Sequence, residues 1–290
     1  MRFTKVAIVL VAFLWGTSFA FTKGILEVVN PLTFTFYNFL LTGLVFLFYS
    51  IYKKKNLLYR IKEGVILGIL VTGMELTQMY GLHLSSAANT SFISNLGMLF
   101  IPYLGYIFFK HKIRVIDSIA LLCAGVGMYF LVGGIDKTSI GDLFLLVSAV
   151  FMAFYFLMSQ QYEGEDDRHL SVICTQQFLV VSVVTGIMIL FGQHSFFVEH
   201  TVIIHLILLI LIFTTLPYAL IQWSSKYSNE MMISIYDGVV EPLVGGIVAW
   251  SLFLEKTSTS QVIGGLGMVF AFGLSTIYTQ RHTLFKKHKK

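Results

Sequence analysis

Ten apolar runs follow one another along this chain, at 5–22, 32–52, 63–82, 87–109, 115–132, 142–161, 170–191, 202–223, 231–253 and 261–279. A helix that crosses the hydrocarbon core of a bilayer needs about 20 mostly apolar residues. A membrane-barrel strand needs about half that and alternates apolar with polar residues. These runs are long and continuous. In lipid the backbone N–H and C=O groups must be satisfied within the chain, which leaves helices. The expected fold class is therefore all-α integral membrane, with ten transmembrane helices joined by short links. Composition agrees: of 290 residues, 56% are hydrophobic and only 12% charged, about half the charged fraction of an ordinary soluble domain. The links carry turn chemistry, as at Asn30-Pro31, Gly133-Gly134 and 163–167.

The charges fix an orientation. With ten spans both termini lie on one side. That side then holds 17 of the 20 Lys and Arg residues, and the other holds Lys23, Lys137 and Lys256. Cytoplasmic links carry the excess of Lys and Arg, so both termini are expected in the cytoplasm of a cell (inner) membrane. The net charge of +5 then reflects orientation and contact with lipid headgroups, not a nucleic-acid partner. The first run, with Arg2 and Lys5 before it, imitates a signal peptide, but no small-x-small cleavage site follows. Cys123 and Cys174 both fall in apolar runs, read as small buried hydrophobes without metal-type spacing.

The two halves repeat. At an offset of 144, Gln78 meets Gln222, Ala120 meets Gly264, Gly127 meets Ala271 and His111-Lys112 meets Glu255-Lys256. The residue matches are sparse, but the hydrophobic envelopes coincide without a gap. The division is 1–136 and 137–290. Five helices is an odd number, so two such copies insert with opposite orientation. Inverted repeats are a transporter signature, with the solute site at their interface.

Acidic residues inside the spans point to that site. A charge at mid-bilayer costs about 2.5–3.5 kcal/mol on insertion scales, yet Glu75, Asp237 and Glu241 lie well inside runs. Thr72, Glu75 and Gln78 share one helix face, as do Ser234, Asp237, Glu241 and Gly245. Ser91, Asn95, Met98 and Pro102 form a third stripe, and Tyr218 and Gln222 a fourth. Helices 3, 4, 8 and 9 thus each carry a polar face, whereas helices 5 and 10 are nearly pure apolar. The faces are expected to converge on a wet cavity between the halves. Two readings stand for Glu75: a solute or proton site, or a protonated packing hydrogen bond to a neighbouring helix. Glu241 either belongs to the site or serves backbone freed by Pro242; Asp237 lacks that second role. Trp15 and Tyr236 are placed near these faces, where rings stack on cations or planar groups. The substrate-binding set is Trp15, Glu75, Gln78, Asn95, Tyr218, Gln222, Tyr236, Asp237 and Glu241. Acids plus aromatics suit an amino acid or an amine-like metabolite, with proton exchange at Glu75 or Asp237 as one form of coupling.

Three stretches also resemble a known family, the EamA branch of the drug/metabolite transporter superfamily. LWGTSFAFTKG at 14–24 resembles its first helix. YGLHLSSAANTSFISNLGMLFIPYLGYIFFKHK at 80–112 resembles its third-to-fourth helix passage. VVEPLVGGIVAWSLFLEKTSTSQVIGGLGMVFAFG at 239–273 resembles the same passage of the second repeat. With Gly141-Asp142 opening the sixth helix, the resemblance spans nearly the whole chain. It implies two EamA-like five-helix repeats, the second ending in a basic cytoplasmic tail, and a permease or exporter working by alternating access. The chain departs from the family pattern at Asn38, where such proteins often carry Arg, at His111 opposite Glu255, and at Glu75 and Asp237, where the family is usually apolar or small.

Other classes fit less well. An intramembrane enzyme needs a nucleophile–base pair or metal ligands; His83, His194, His200 and His205 pair with no carboxylate at zinc spacing, and no HExxH run occurs. WGTSFA has no strand before it and is no nucleophile elbow. No nucleotide-binding loop is present. No catalytic residue, metal or cofactor is expected. A flippase for a lipid-linked carrier remains the alternative, and would show a groove open sideways to lipid. The expected partners are a small-molecule substrate and membrane lipid, with the chain acting as a monomer or homodimer.

Overall fold

Local chemistry starts and stops the helices where the sequence changes character. Asn30 accepts the N–H of Leu32 at 2.9 Å, and Pro31 opens the second helix with its fixed φ. Asp117 takes the backbone N–H and the guanidinium of Arg114, capping the fifth helix. Gly133, at φ +82°, closes it, a left-handed turn that glycine enters without strain.

A computed structural model describes residues 2–162, 170–192, 194–225 and 230–287. The described residues form ten long helices: α1 Arg2–Leu26, α2 Pro31–Tyr52, α3 Ile61–Leu84, α4 Ala87–Phe109, α5 Val115–Val132, α6 Ile140–Tyr162, α7 Leu170–Phe191, α8 from His200 to Ser225, α9 Glu230–Ser251 and α10 Thr259–Lys287. Side chains of α9 are described from Gly238 and those of α10 as far as Ser275. Among the described residues α1 to α8 contain stretches long and apolar enough to cross a membrane; α9 and α10 contribute shorter apolar stretches, Gly238–Ser251 and Thr259–Ser275. The outward faces of α5 and α10 carry exposed apolar side chains, as at Leu122, Val126 and Phe270. A water-soluble surface rarely exposes so much apolar area together.

Two helices are irregular, which the apolar runs did not foretell. α4 tightens to a 3₁₀ turn at Ser94–Leu96, where the Asn95 amide donates to the Ser91 carbonyl at 2.9 Å. α8 widens to a π turn at Leu211–Thr215. Pro217 lacks an N–H and crowds the carbonyl four residues back, and a π turn just before it relieves that crowding.

The helices pack in a reciprocal pattern. α1 lies on α9, and α6 lies on α4; α3 packs on α6, and α1 on α8; α2 pairs with α7, and α5 with α10. Small residues set the closest approaches. A Cβ at Gly127 would stand 2.8 Å from the Gly264 carbonyl oxygen, and one at Gly264 would stand 2.5 Å from that of Gly127. α5 and α10 therefore touch backbone to backbone, as small residues allow in membranes. One apolar core joins α4, α5, α6 and α10 around Phe92, Leu99 and Phe272. Another, around Phe39, Phe46 and Phe178, joins α2, α3 and α7 and reaches Tyr218.

Candidate functional site

The centre of the bundle is assembled by the crossing of α1, α4 and α9. A Cβ at Gly16 would meet the Glu241 carbonyl oxygen at 2.5 Å, and one at Gly245 would meet Ser91 Cβ at 2.5 Å. Bare backbone at these positions lets three helices meet, and the same crossing brings Asn95 of α4 to Glu241 of α9. The Asn95 amide donates to Glu241 Oε1 at 3.1 Å. Both side chains are buried. Glu241 is thus held by a neighbouring helix through its carboxylate rather than serving backbone freed by Pro242.

Glu75 comes from the facing side. It stands at mid-length on α3, half-buried, one residue after Met74, whose carbonyl accepts the Ser148 hydroxyl of α6 at 2.9 Å. Glu75 and Glu241 lie within electrostatic range of each other, and Tyr218 of α8 lies within range of both and of Tyr155. Among the described residues no hydrogen-bond donor reaches the Glu75 carboxylate, so the packing hydrogen bond offered as its second reading is not made by them.

An aromatic wall stands beside the acids. The Tyr218 ring meets Phe178 at 4.7 Å between centroids and Trp15 at 5.5 Å, both edge to face. Trp15, Tyr218, Gln78 and Gln222 are each half-buried. Thr72, by contrast, turns its hydroxyl back to the Gly68 carbonyl at 2.8 Å and adds nothing to the polar stripe. The side chains of Tyr236 and Asp237 lie outside the described residues. Tyr155 was missed from the sequence; its hydroxyl donates to Gln177 Oε1 at 3.3 Å, and nothing in the aromatic-rich run around it separates it from lipid-facing neighbours.

No group of three or more His, Cys, Asp or Glu side chains arranged to hold a metal occurs among the described residues. A groove of about 320 Å³ opens on the flank between α2, α3 and α7, lined by residues such as Leu47, Ile61, Val65 and Val180. It contains none of the acids or rings described above.

What the site can do chemically follows from its parts. Two carboxylates, an amide and edge-presented aromatics fit a small solute bearing a cation or hydrogen-bond donors.

Comparison with known proteins agrees with this architecture. The model of the EamA-like transporter family matches the chain twice, at residues 3–133 and 139–277. An uncharacterized transporter of Archaeoglobus fulgidus is 25% identical over 228 residues, 79% of this chain and 71% of that protein. A second from the same organism is 24% identical over 94% of this chain and 97% of its own length. One crystal structure superimposes over 97% of this chain and 99% of that chain with a TM-score of 0.68 at 15% identity, a likeness of fold alone. With the family model covering both halves, this multi-pass membrane protein belongs to the EamA-like transporter family.

Proposed function

We propose that the chain is a secondary carrier of a small organic metabolite, amino-acid-like or amine-like, working by alternating access between two inverted five-helix repeats, 1–136 and 137–290. Membership of a transporter family supports the general activity. The reciprocal packing supports the repeat: α1 on α9 answers α6 on α4, as a two-fold relation between halves requires. Gly127 meets Gly264, the counterpart of Ala120, while Ala120 and Ala271 are both fully buried.

The single observation that carries the solute site is the Glu75 carboxylate. It lies mid-span, half-buried, without a donor among the described residues, and in the field of Glu241. A carboxylate left so at membrane depth is costly, and a cationic solute or an exchanging proton offsets that cost. Glu241 with Asn95, Trp15, Tyr218, Gln78 and Gln222 complete the site in this reading, with Asp237 and Tyr236 placed there by helical spacing alone. The membrane is the cell (inner) membrane, with both termini cytoplasmic, on the bias of Lys and Arg. A lipid-linked carrier would need a lateral opening onto the acids; the flank groove carries none of them, so the soluble metabolite is preferred.

The test is counterflow in proteoliposomes with labelled amino acids and amines. Solute-stimulated exchange without chemical change, lost in Glu75→Gln, is the expected result. Exchange that survives Glu75→Gln unchanged would remove Glu75 from the site. Proton coupling adds that an imposed pH gradient drives wild-type uptake and fails to drive the variant.

A further inference from the structure

The end of the bundle remote from the termini is held by charged side chains that take no part in the solute site. Lys23 stands in the last turn of α1. Its ammonium donates to the carbonyl oxygens of Leu82 at 2.8 Å, His83 at 3.0 Å and Ser85. These are carbonyls at the end of α3, where a helix favours a cation. Glu255, in the link from α9 to α10, accepts the backbone N–H groups of Ala87 at 2.8 Å and Ala88 at 3.2 Å. These are the first amides of α4, where a helix favours an anion. Asp142, in the first turn of α6, accepts the Ser85 hydroxyl at 2.5 Å and the Asn89 amide at 3.0 Å. Lys23 and Glu255 also lie in each other's field.

Three side chains from α1, α6 and the α9–α10 link therefore converge on one junction, residues 82–89, between α3 and α4. Two of them belong to the second half of the chain and bind a hairpin of the first half. Opening this face of the bundle separates the two halves, so the Asp142 and Glu255 contacts must break, and Lys23 loses the field of Glu255 that helps hold it on the junction. Their chemistry permits it. Lys23 and Glu255 are half-buried and bind backbone groups at helix ends, which water can replace without stranding a buried charge. Asp142 is buried, but its second oxygen keeps the Ser139 N–H at 2.8 Å. The face that carries the termini is held by different contacts between the halves: the Lys55 ammonium donates to Ser171 Oγ at 2.7 Å, and the Gln176 amide donates to the carbonyl oxygens of Leu57 at 2.8 Å and Tyr59 at 3.0 Å. At the repeat offset the counterpart of Glu255 is His111, which is exposed after the end of α4 and stacks near Phe109 at 5.8 Å.

We infer that Lys23, Asp142 and Glu255 form a releasable latch that closes the face remote from the termini. The inference rests on the carrier reading above.

The test uses full-length protein in vesicles of both orientations, with Cys123→Ala, Cys174→Ala and Gln78→Cys, labelled by a membrane-impermeant maleimide. In this parent, labelling from the remote face is slow. Lys23→Met and Glu255→Gln each raise it several-fold and lower labelling from the terminal face; Asp142→Asn does so less. The pair Ser85→Cys with Asp142→Cys, in the same Gln78→Cys background, blocks remote-face labelling when oxidised, and reductant restores it, so the inference stays testable even where Lys23→Met fails to fold. An unchanged face preference in every folded variant overturns the latch while leaving the carrier reading intact. Labelling from neither face in any variant overturns both.

Discussion

Two crossings in this molecule are built from the same small residues and end differently. At α5–α10, Gly127 and Gly264 bring backbones together and apolar side chains fill the remainder. At α4–α9, Ser91 and Gly245 do the same, but the crossing also buries the Asn95–Glu241 pair beside a 3₁₀ turn and a proline. The first crossing is cheap in lipid, its Ser260 hydroxyl reaching the Phe130 carbonyl at 3.4 Å only at an exposed position. The second keeps a carboxylate that costs stability wherever it is not engaged. In the proposed carrier, polar expense confined to one of two otherwise similar crossings separates scaffold from working surface.

The sharpest way to break that contrast is to overfill the scaffold. A side chain at Gly264 meets the Leu131 backbone N at 2.4 Å. Gly264→Leu should cost about 3 kcal/mol or more, at the upper end of overpacking effects, read as a lost or strongly lowered melting transition in detergent. The working crossing should respond in the opposite sense. Glu241→Gln keeps an acceptor for Asn95 and removes a buried charge, so its melting point should not fall, while counterflow should drop roughly tenfold or more, about 1.4 kcal/mol of lost solute interaction. If Glu241→Gln melted lower with transport intact, the two crossings would both be scaffold.

Asn95→Ala sharpens the same point. It leaves the Glu241 carboxylate without its donor, at about 1–3 kcal/mol. In a Glu241→Gln background the cost of Asn95→Ala should shrink, because no charge is then left without its donor, and a double-mutant cycle in thermal unfolding measures that coupling. Tyr218→Phe keeps the ring against Phe178 and Trp15, so stability should move by under about 1.5 kcal/mol, and a change in solute preference would reveal work done by the hydroxyl. The smallest effect belongs to Gly125 on α5, where an added Cβ meets nothing within 4 Å. Gly125→Ala should be neutral or stabilising by about 0.5–1 kcal/mol.

The span pattern was legible because lipid enforces it. The expected run 63–82 and the helix Ile61–Leu84 agree within two residues at each end, as do 202–223 and the helix from His200 to Ser225. The polar stripe on α3 was legible by helical period, and with it Glu75. Thr72 was assigned to that stripe by the same period, yet its hydroxyl is spent on its own helix. The π turn at Leu211–Thr215 was not legible, since a proline inside a helix is compatible with a kink, a break or a bulge. Nor was the Asn95–Glu241 contact, because which polar faces touch is decided by the crossings at Gly16 and Gly245. Lys23 and Glu255 were counted for orientation or quoted for resemblance; their joint hold on the α3–α4 junction depends on three-dimensional proximity that no spacing encodes.

The most direct measurement is aqueous labelling of Glu75→Cys in a background lacking Cys123 and Cys174, with Leu122→Cys on the outer face of α5 as the lipid-facing control. A water-filled path between the halves predicts that position 75 reacts with a membrane-impermeant thiol reagent and that position 122 does not. Position 75 as unreactive as position 122 would contradict it.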